Sequence, residues 1–434
     1  MLALLASLLI QAQPLRGNVP DLLKVVVYEA NLRALGPHPG FRGLTDRLNQ
    51  IQALGVNVLW LMPIQPVGKV RSAGGLGSPY AIRDFRAVNP EFGDAQELTA
   101  LIKAAHRLKI AVILDWVADH TSWDSDWLTR HPDWYLRDNK GQIESPPGTG
   151  WNDVAALDFG NKAMRSQMIA DMGYWIARFD FDGFRCDSAD RMPFDFWKTA
   201  IESVRAGAKK RLLMLAEGHR TDDYAAGFDL TYGWSFSNRL REIFRGRSAA
   251  DLAAASTDET GNLPLGARRL NFITNHDVSA WEGSLIEYYK SEQGVMAAFT
   301  VAALYGGTPL IYTGQEVGYE KRIPIFEHTA IDWSKNPTSA GWMSRLVAIR
   351  NSHPAFLAGT LSDRSTKDIV MFSRRKNSDE VLVIANSRDR AESIHIDGAW
   401  QGEWNNGFSG KAEHLGPDFP MPSFGSLVLT RKAP

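Results

Sequence analysis

Residues 183–187 read GFRCD, an apolar stretch that carries one arginine and ends on an acid. The same shape recurs at 212–217 (LLMLAE) and at 270–277 (LNFITNHD), and polar, loop-like sequence follows each acid. The three acids, Asp187, Glu217 and Asp277, stand 30 and 60 residues apart, with helix-patterned sequence between them. Acids at the carboxyl ends of successive strands, separated by helices, are the layout of the active face of a (β/α)₈ barrel.

Working outward, strand-like apolar runs occupy 25–28 (VVVY), 56–62 (VNVLWLM), 110–116 (IAVILDW), 183–187, 212–217, 228–232, 270–275 and 309–312 (PLIY). Helical spacing fills 44–54, 97–109, 164–179, 196–209 and 293–305. This alternation predicts parallel strands with crossover helices. Eight units, and no glycine-rich nucleotide turn after the first strand, favour a closed TIM barrel over an open doubly wound sheet. Residues 119–162 break the rhythm with a long segment rich in Trp, Asp, Asn, Pro and Gly, the kind of insertion that is usually functional. After Pro354 the pattern changes to short strands at 369–373, 381–385, 393–396 and 426–429. The expected class is α/β. The barrel comprises 14–118 and 163–354, with an inserted domain at 119–162 and a carboxyl-terminal antiparallel β-sandwich at 355–434.

Composition narrows the function. The chain has 434 residues, 44% hydrophobic and 22% charged, with 48 basic against 49 acidic residues. That balance excludes the basic surplus of a nucleic-acid binder. Residues 2–10 are apolar but too few to span a bilayer. They resemble a secretory core, with Ala12 near a cleavage point, so 1–13 read as a signal peptide and the protein as secreted or periplasmic. Cys186 is the single cysteine, so no intramolecular disulfide forms. Nothing in the sequence encodes the oligomeric state.

Two carboxyls flanking a bond, with a third to hold the substrate, suit glycoside hydrolysis. Taken singly, each residue has a plainer explanation. An acid after a strand is often a helix cap, and His120 and His276 could be structural or zinc-ligating. No HExxH spacing supports zinc, and no metal is assigned. The joint presence of Arg185, Asp187, Glu217, His276 and Asp277 outweighs the plainer explanations.

Together with 55–63 (GVNVLWLMP), 78–85, 115–120 (DWVADH) and 307–316 (GTPLIYTGQE), these segments resemble the alpha-amylase family of glycoside hydrolases, family 13. The match spans the barrel, the insertion and the carboxyl-terminal domain. The resemblance implies a retaining enzyme that cleaves α-1,4-glucosidic bonds of starch or maltodextrins. In that scheme Asp187 is the nucleophile, Glu217 the acid/base and Asp277 the residue that grips the distorted sugar. Tyr80 would stack on the sugar, His120 and His276 would donate to its hydroxyls, and Arg185 would hold Asp187 ionised. No cofactor is required for that chemistry.

Two positions depart from the family pattern. Asp119 stands where many members carry a calcium-ligating asparagine, and Asp190-Arg191 stand where many carry Lys-His. Asp119 could still ligate calcium as a hard oxygen donor, or Arg191 could replace the ion; the expectation is that calcium is absent or weakly held. A transglycosylase or isomerase of the same family, or a non-catalytic α-glucan-binding protein, are the competing readings.

Overall fold

The computed structural model describes residues 17–36 and 39–433. Its central element is a closed barrel of eight parallel strands. Numbering all strands along the chain, these are β1 (Val27–Ala30), β2 (Val58–Leu61), β3 (Ala111–Trp116), β6 (Gly183–Cys186), β7 (Leu213–Ala216), β8 (Leu230–Tyr232), β9 (Arg268–Asn271) and β10 (Thr308–Tyr312). Between β3 and β6 the insertion contributes β4 (His120–Ser122) and β5 (Val154–Ala156), which pair antiparallel. The barrel is ordered β1-β10-β9-β8-β7-β6-β3-β2, so each strand pairs with its sequence neighbour in the barrel and β10 closes on β1.

The two-residue period of a strand decides what enters the barrel. Val27, Val58, Trp60, Ile113, Leu213, Leu215, Leu230 and Leu270 form one buried cluster inside it. The alternate residues, among them Leu59, Val112, Leu114, Phe184 and Met214, belong to the cluster shared with the surrounding helices. Continuing each inward series toward the carboxyl end gives Glu29 after Val27, Asp115 after Ile113, Asp187 after Arg185 and Glu217 after Leu215. The barrel interior is therefore apolar below and ionisable at its upper end. Gly183 is required at the start of β6. Its φ is +148°, and a Cβ there would lie 1.8 Å from the carbonyl oxygen of Leu213.

Helices follow the expected pattern. Ala95–Arg107 is capped by Asp94, whose side chain accepts from Glu97 N. Lys162–Phe179 is capped by Asn161, which accepts from Ala163 N and Met164 N. The helix Glu292–Leu304 is buried almost all round, because it is covered by the barrel on one side and by the carboxyl-terminal β-structure on another.

That β-structure has more strands than the sequence reading placed. Its main sheet is ordered β11-β12-β13-β18-β15-β16, with strands Thr360–Asp363, Ile369–Lys376, Asp379–Asn386, Ser426–Lys432, Gly402–Asn406 and Ala412–Leu415 respectively. A second pair joins β14 (Glu392–His395) to β17 (Asp418–Met421). Ile394 and Met421 from the pair pack with Ile384, Trp404 and Leu429 from the sheet. The strands not anticipated, β11, β15, β16 and β17, are four or five residues long and alternate buried or half-buried with exposed residues. They carry too little apolar signal to be seen without their partners.

Candidate active site

The backbone ladder places the central acids. Asp187 N donates to Trp116 O and Glu217 N donates to Cys186 O, both at 2.9 Å, so each acid extends its strand by one residue. Arg185 is fully buried between them. Its Nη1 lies 2.8 Å from Asp115 Oδ1 and 2.8 Å from Asp187 Oδ1, and its Nη2 lies 2.9 Å from Glu217 Oε2. The guanidinium also sits 4.8 Å from the centre of the Trp60 ring. One planar cation thus links three carboxyls, a geometry that lysine could not reproduce.

Ser188 follows Asp187 in the left-handed region, with φ 44° and ψ 41°. Non-glycine residues enter that region at a cost, and they cluster at functional sites. Here the conformation turns Ser188 N–H onto Glu217 Oε2 at 2.7 Å.

Burial raises Glu217 strongly. Arg185 opposes the rise, while Asp187 and Asp277 add to it, and the carboxyl titrates at about 8. Asp115 is likewise raised by burial, against Arg185, to about 6. The sequence reading had Arg185 holding Asp187 down. Instead, burial lifts Asp187 above the ordinary carboxylate value; Arg185 lowers it without cancelling the rise. The physical reason is the crowd of carboxyls on one guanidinium: Asp115 and Glu217 share the charge that Asp187 was expected to have alone.

These groups open into a cavity of about 240 Å³. Asp187, Glu217, Asp277, His276, His120 and Tyr80 all line it, so six of the seven expected site residues meet there, and the seventh, Arg185, lies buried beneath. Tyr80 stacks on the His276 ring at 5.4 Å between centres. His276 Nε2 lies 2.7 Å from Tyr80 Oη and 3.4 Å from Asp277 Oδ2. His120 faces Tyr80 O through Nε2 at 3.1 Å, which ties the insertion to the loop after β2.

The cavity rim holds two tryptophans that the sequence reading did not select, Trp151 and Trp281, 38% and 56% exposed. Trp281 meets Phe326 edge to face. Other tryptophans are packing residues: Trp116, Trp400 and Trp404 are buried, and Trp127 packs on Phe85 and Trp134. Glu29 was also missed. It is the fully buried acid of β1 and lies 2.5 Å from His276 Nδ1. An ionisable residue inside the run VVVYEA was the available signal.

At Asp119, Oδ1 lies 2.6 Å from His120 Nδ1 and Oδ2 accepts from Arg191 Nε at 3.0 Å. Burial opposes ionisation of Asp119, but His120 and Arg191 overcome it and lower its pKa. A guanidinium already on this carboxylate would repel a divalent ion, so these residues do not fit a calcium site. Among the described residues no group of three or more His, Cys, Asp or Glu side chains is placed to hold a metal.

A family model described as the catalytic domain of alpha-amylase matches residues 36–418. The chain belongs to the alpha-amylase family. It is therefore a glycoside hydrolase acting on O-glycosidic bonds, with α-1,4-glucosidic bonds the target at family level. It is 24% identical over 421 residues to alpha-amylase 2 of Dictyoglomus thermophilum, covering 91% of this chain and 72% of that one. A maltogenic alpha-amylase, AmyB, of Thermotoga neapolitana superposes with a TM-score of 0.86 at 26% identity, over 96% of this chain and all of that one. An alpha-amylase of Lactobacillus plantarum gives 0.85 at 27% identity, over 94% and 99%. Across the curated relatives the chain spans 55% to 74% of their length.

The relatives correct one expectation. The intracellular maltogenic amylase of Bacillus subtilis is 25% identical over 82% of this chain and 63% of its own length. A named intracellular enzyme with the same domain contradicts the secreted or periplasmic assignment. That assignment rested on a short apolar run with no basic flank beyond the amino terminus, a pattern too weak to set a compartment. Residues 1–13, read as a signal peptide, lie outside the described residues. Among the described residues no helix is long and apolar enough to cross a membrane.

Proposed function

We propose that this amylase-family chain hydrolyses α-1,4 links of starch or maltodextrins with retention, using Asp187 as nucleophile and Glu217 as acid/base. The observation that carries the reading is the Arg185 bridge between the two carboxyls, 2.8 Å from Asp187 and 2.9 Å from Glu217. A shared cation keeps the pair together, while burial and the neighbouring acids keep Glu217 protonated to about 8. Two carboxyls with separated proton affinities are the requirement for this chemistry.

In this scheme Glu217 gives its proton to the leaving glycosidic oxygen as Asp187 Oδ attacks the anomeric carbon. The carbon–oxygen bond to the leaving sugar breaks and a glycosyl ester forms. Glu217, now ionised, takes a proton from water, and the resulting hydroxide equivalent displaces Asp187. That proton stays on Glu217, Asp187 leaves as the carboxylate, and the enzyme is restored. Asp277 accepts hydrogen bonds from hydroxyls of the distorted sugar, and its charge favours the oxocarbenium-like transition state. Trp151 and Trp281 supply apolar faces for sugar rings on the two sides of the cleft.

No catalytic metal enters this scheme. We further propose that Arg191, by neutralising Asp119, takes the place of a structural cation under the insertion.

The test is product analysis after incubation with soluble starch and with maltoheptaose, beside Asp187→Asn. Shorter maltooligosaccharides from the wild type alone are the expected result. Longer or rearranged products would replace hydrolysis by glycosyl transfer, and binding without turnover would replace it by a non-catalytic role.

A further inference from the structure

Glu29 ends the inward series of β1 and is fully buried. Its Oε1 lies 2.5 Å from His276 Nδ1 and accepts from His276 N at 3.4 Å, while Oε2 has no hydrogen-bond partner among the described residues. A carboxylate charge held this deep would need a positive partner, since an unpaired buried charge is strongly disfavoured. The imidazole of His276 is the group it touches.

The other edge of the ring decides the proton count. His276 Nε2 is 2.7 Å from Tyr80 Oη. That hydroxyl donates to Asp115 Oδ2 at 3.2 Å. A phenol has one proton to give. Spent on Asp115, it leaves Tyr80 as acceptor toward the ring, so Nε2 carries a hydrogen. Nδ1 carries one as well, because Glu29 is an acceptor. Both ring nitrogens then hold protons.

We propose that Glu29 is a positioning residue that holds His276 as an imidazolium, whose Nε2–H rests on Tyr80 Oη and passes to a sugar hydroxyl that enters beside Asp277. The inference rests on the hydrolase reading above. It explains how a strong donor can serve a reaction that develops positive charge on the sugar. A lone imidazolium would oppose that charge. Paired with Glu29 it is electrically neutral as a unit, yet still donates as a cation would.

The charged groups around the ring agree. Glu29 faces it from β1, Asp115 from β3, Glu217 from β7 and Asp277 from its own segment. Arg185 from β6 is the opposing cation, and Tyr80 contributes a hydroxyl. Burial pulls the His276 pKa down, but Asp277 and Glu29 raise it, to about 9.

Nitrogen-15 NMR of histidine-labelled protein tests this directly, with the His276 signal assigned by its loss in His276→Gln. The wild-type ring is expected to be doubly protonated at pH 7.5. In Glu29→Gln, which keeps an acceptor but removes the charge, the midpoint should fall toward the ordinary value of about 6.5. At pH 7.5 kcat should drop about tenfold or more, with a smaller change in KM. A neutral wild-type ring at pH 7.5 overturns the proposal, as does a Glu29→Gln variant with unchanged midpoint and kcat. Should Glu29→Gln not fold, the wild-type spectrum alone decides. The proton state of His276 is read without turnover, so failure of this inference is separable from failure of the hydrolase reading, which Asp187→Asn reports.

Discussion

Arg185 Nη2 lies 2.9 Å from Glu217 Oε2, yet Glu217 holds its proton to about 8. An adjacent guanidinium would normally pull a glutamate down. Here the same cation also serves Asp115 and Asp187, and burial plus two neighbouring acids outweighs its share of attraction.

Catalysis should therefore fall on the alkaline side as Glu217 loses its proton. The alkaline limb of kcat/KM against pH is expected near about 8. Asp277 raises Glu217, so Asp277→Asn should move that limb to lower pH while also reducing kcat. A limb that moves upward in the variant would show that another group controls it.

The same shift predicts a stability effect. Glu217 has a folded pKa above its unfolded value, so the folded state binds the extra proton and loses relative stability as pH rises from about 4.5 to about 8. Glu217→Gln carries no such proton. The melting midpoint of the variant minus that of the wild type should grow across this window and level off above it. Calorimetry from pH 5 to 9 checks the trend, and a difference independent of pH contradicts it.

Removing the shared cation should be severe. Arg185→Met strands three buried carboxyls, and breaking a buried ion network of this kind costs about 3–5 kcal/mol. Denaturant unfolding should show that loss, with hydrolysis below detection. Arg185→Lys should not restore it, because a compact ammonium cannot replace a guanidinium whose two terminal nitrogens reach Asp115, Asp187 and Glu217.

Arg191 on Asp119 Oδ2 at 3.0 Å predicts indifference to chelators. If Arg191 takes the place of the ion as proposed, chelation has nothing to remove, and the wild-type melting midpoint should change by no more than about 1 °C. A fall of many degrees would place a cation there after all. Arg191→Met should destabilise the insertion, leaving Asp119 with His120 as its remaining ionic partner.

Trp281, 56% exposed at the cavity rim, makes few packing demands. Trp281→Ala is expected to raise KM for long maltodextrins about fivefold, the equivalent of about 1 kcal/mol of ring–sugar contact, with kcat little changed. Equal effects on long and short substrates would show that Trp281 does not line a distal subsite.

The order of strands and helices, the barrel class and the three cavity acids were legible in the sequence, because each rests on a local pattern. Asp187, Glu217 and Asp277 each follow an apolar run of strand length, and strand period and chain direction alone send such residues to one end of a barrel. Tertiary structure decided what the acids do to one another. Asp187 was expected to be lowered by Arg185, and only the convergence of β3, β6 and β7 on one guanidinium reveals that the cation is shared. Glu29 and His276 are 247 residues apart, so their 2.5 Å contact exists only because β10 closes the barrel on β1 and β9 lies beside it. The rim tryptophans were likewise invisible, since exposure is a property of what packs around a ring. Local pattern sets where the chain turns and which side chains face inward; pKa, pairing and cavity shape depend on groups that only folding brings within a few ångströms.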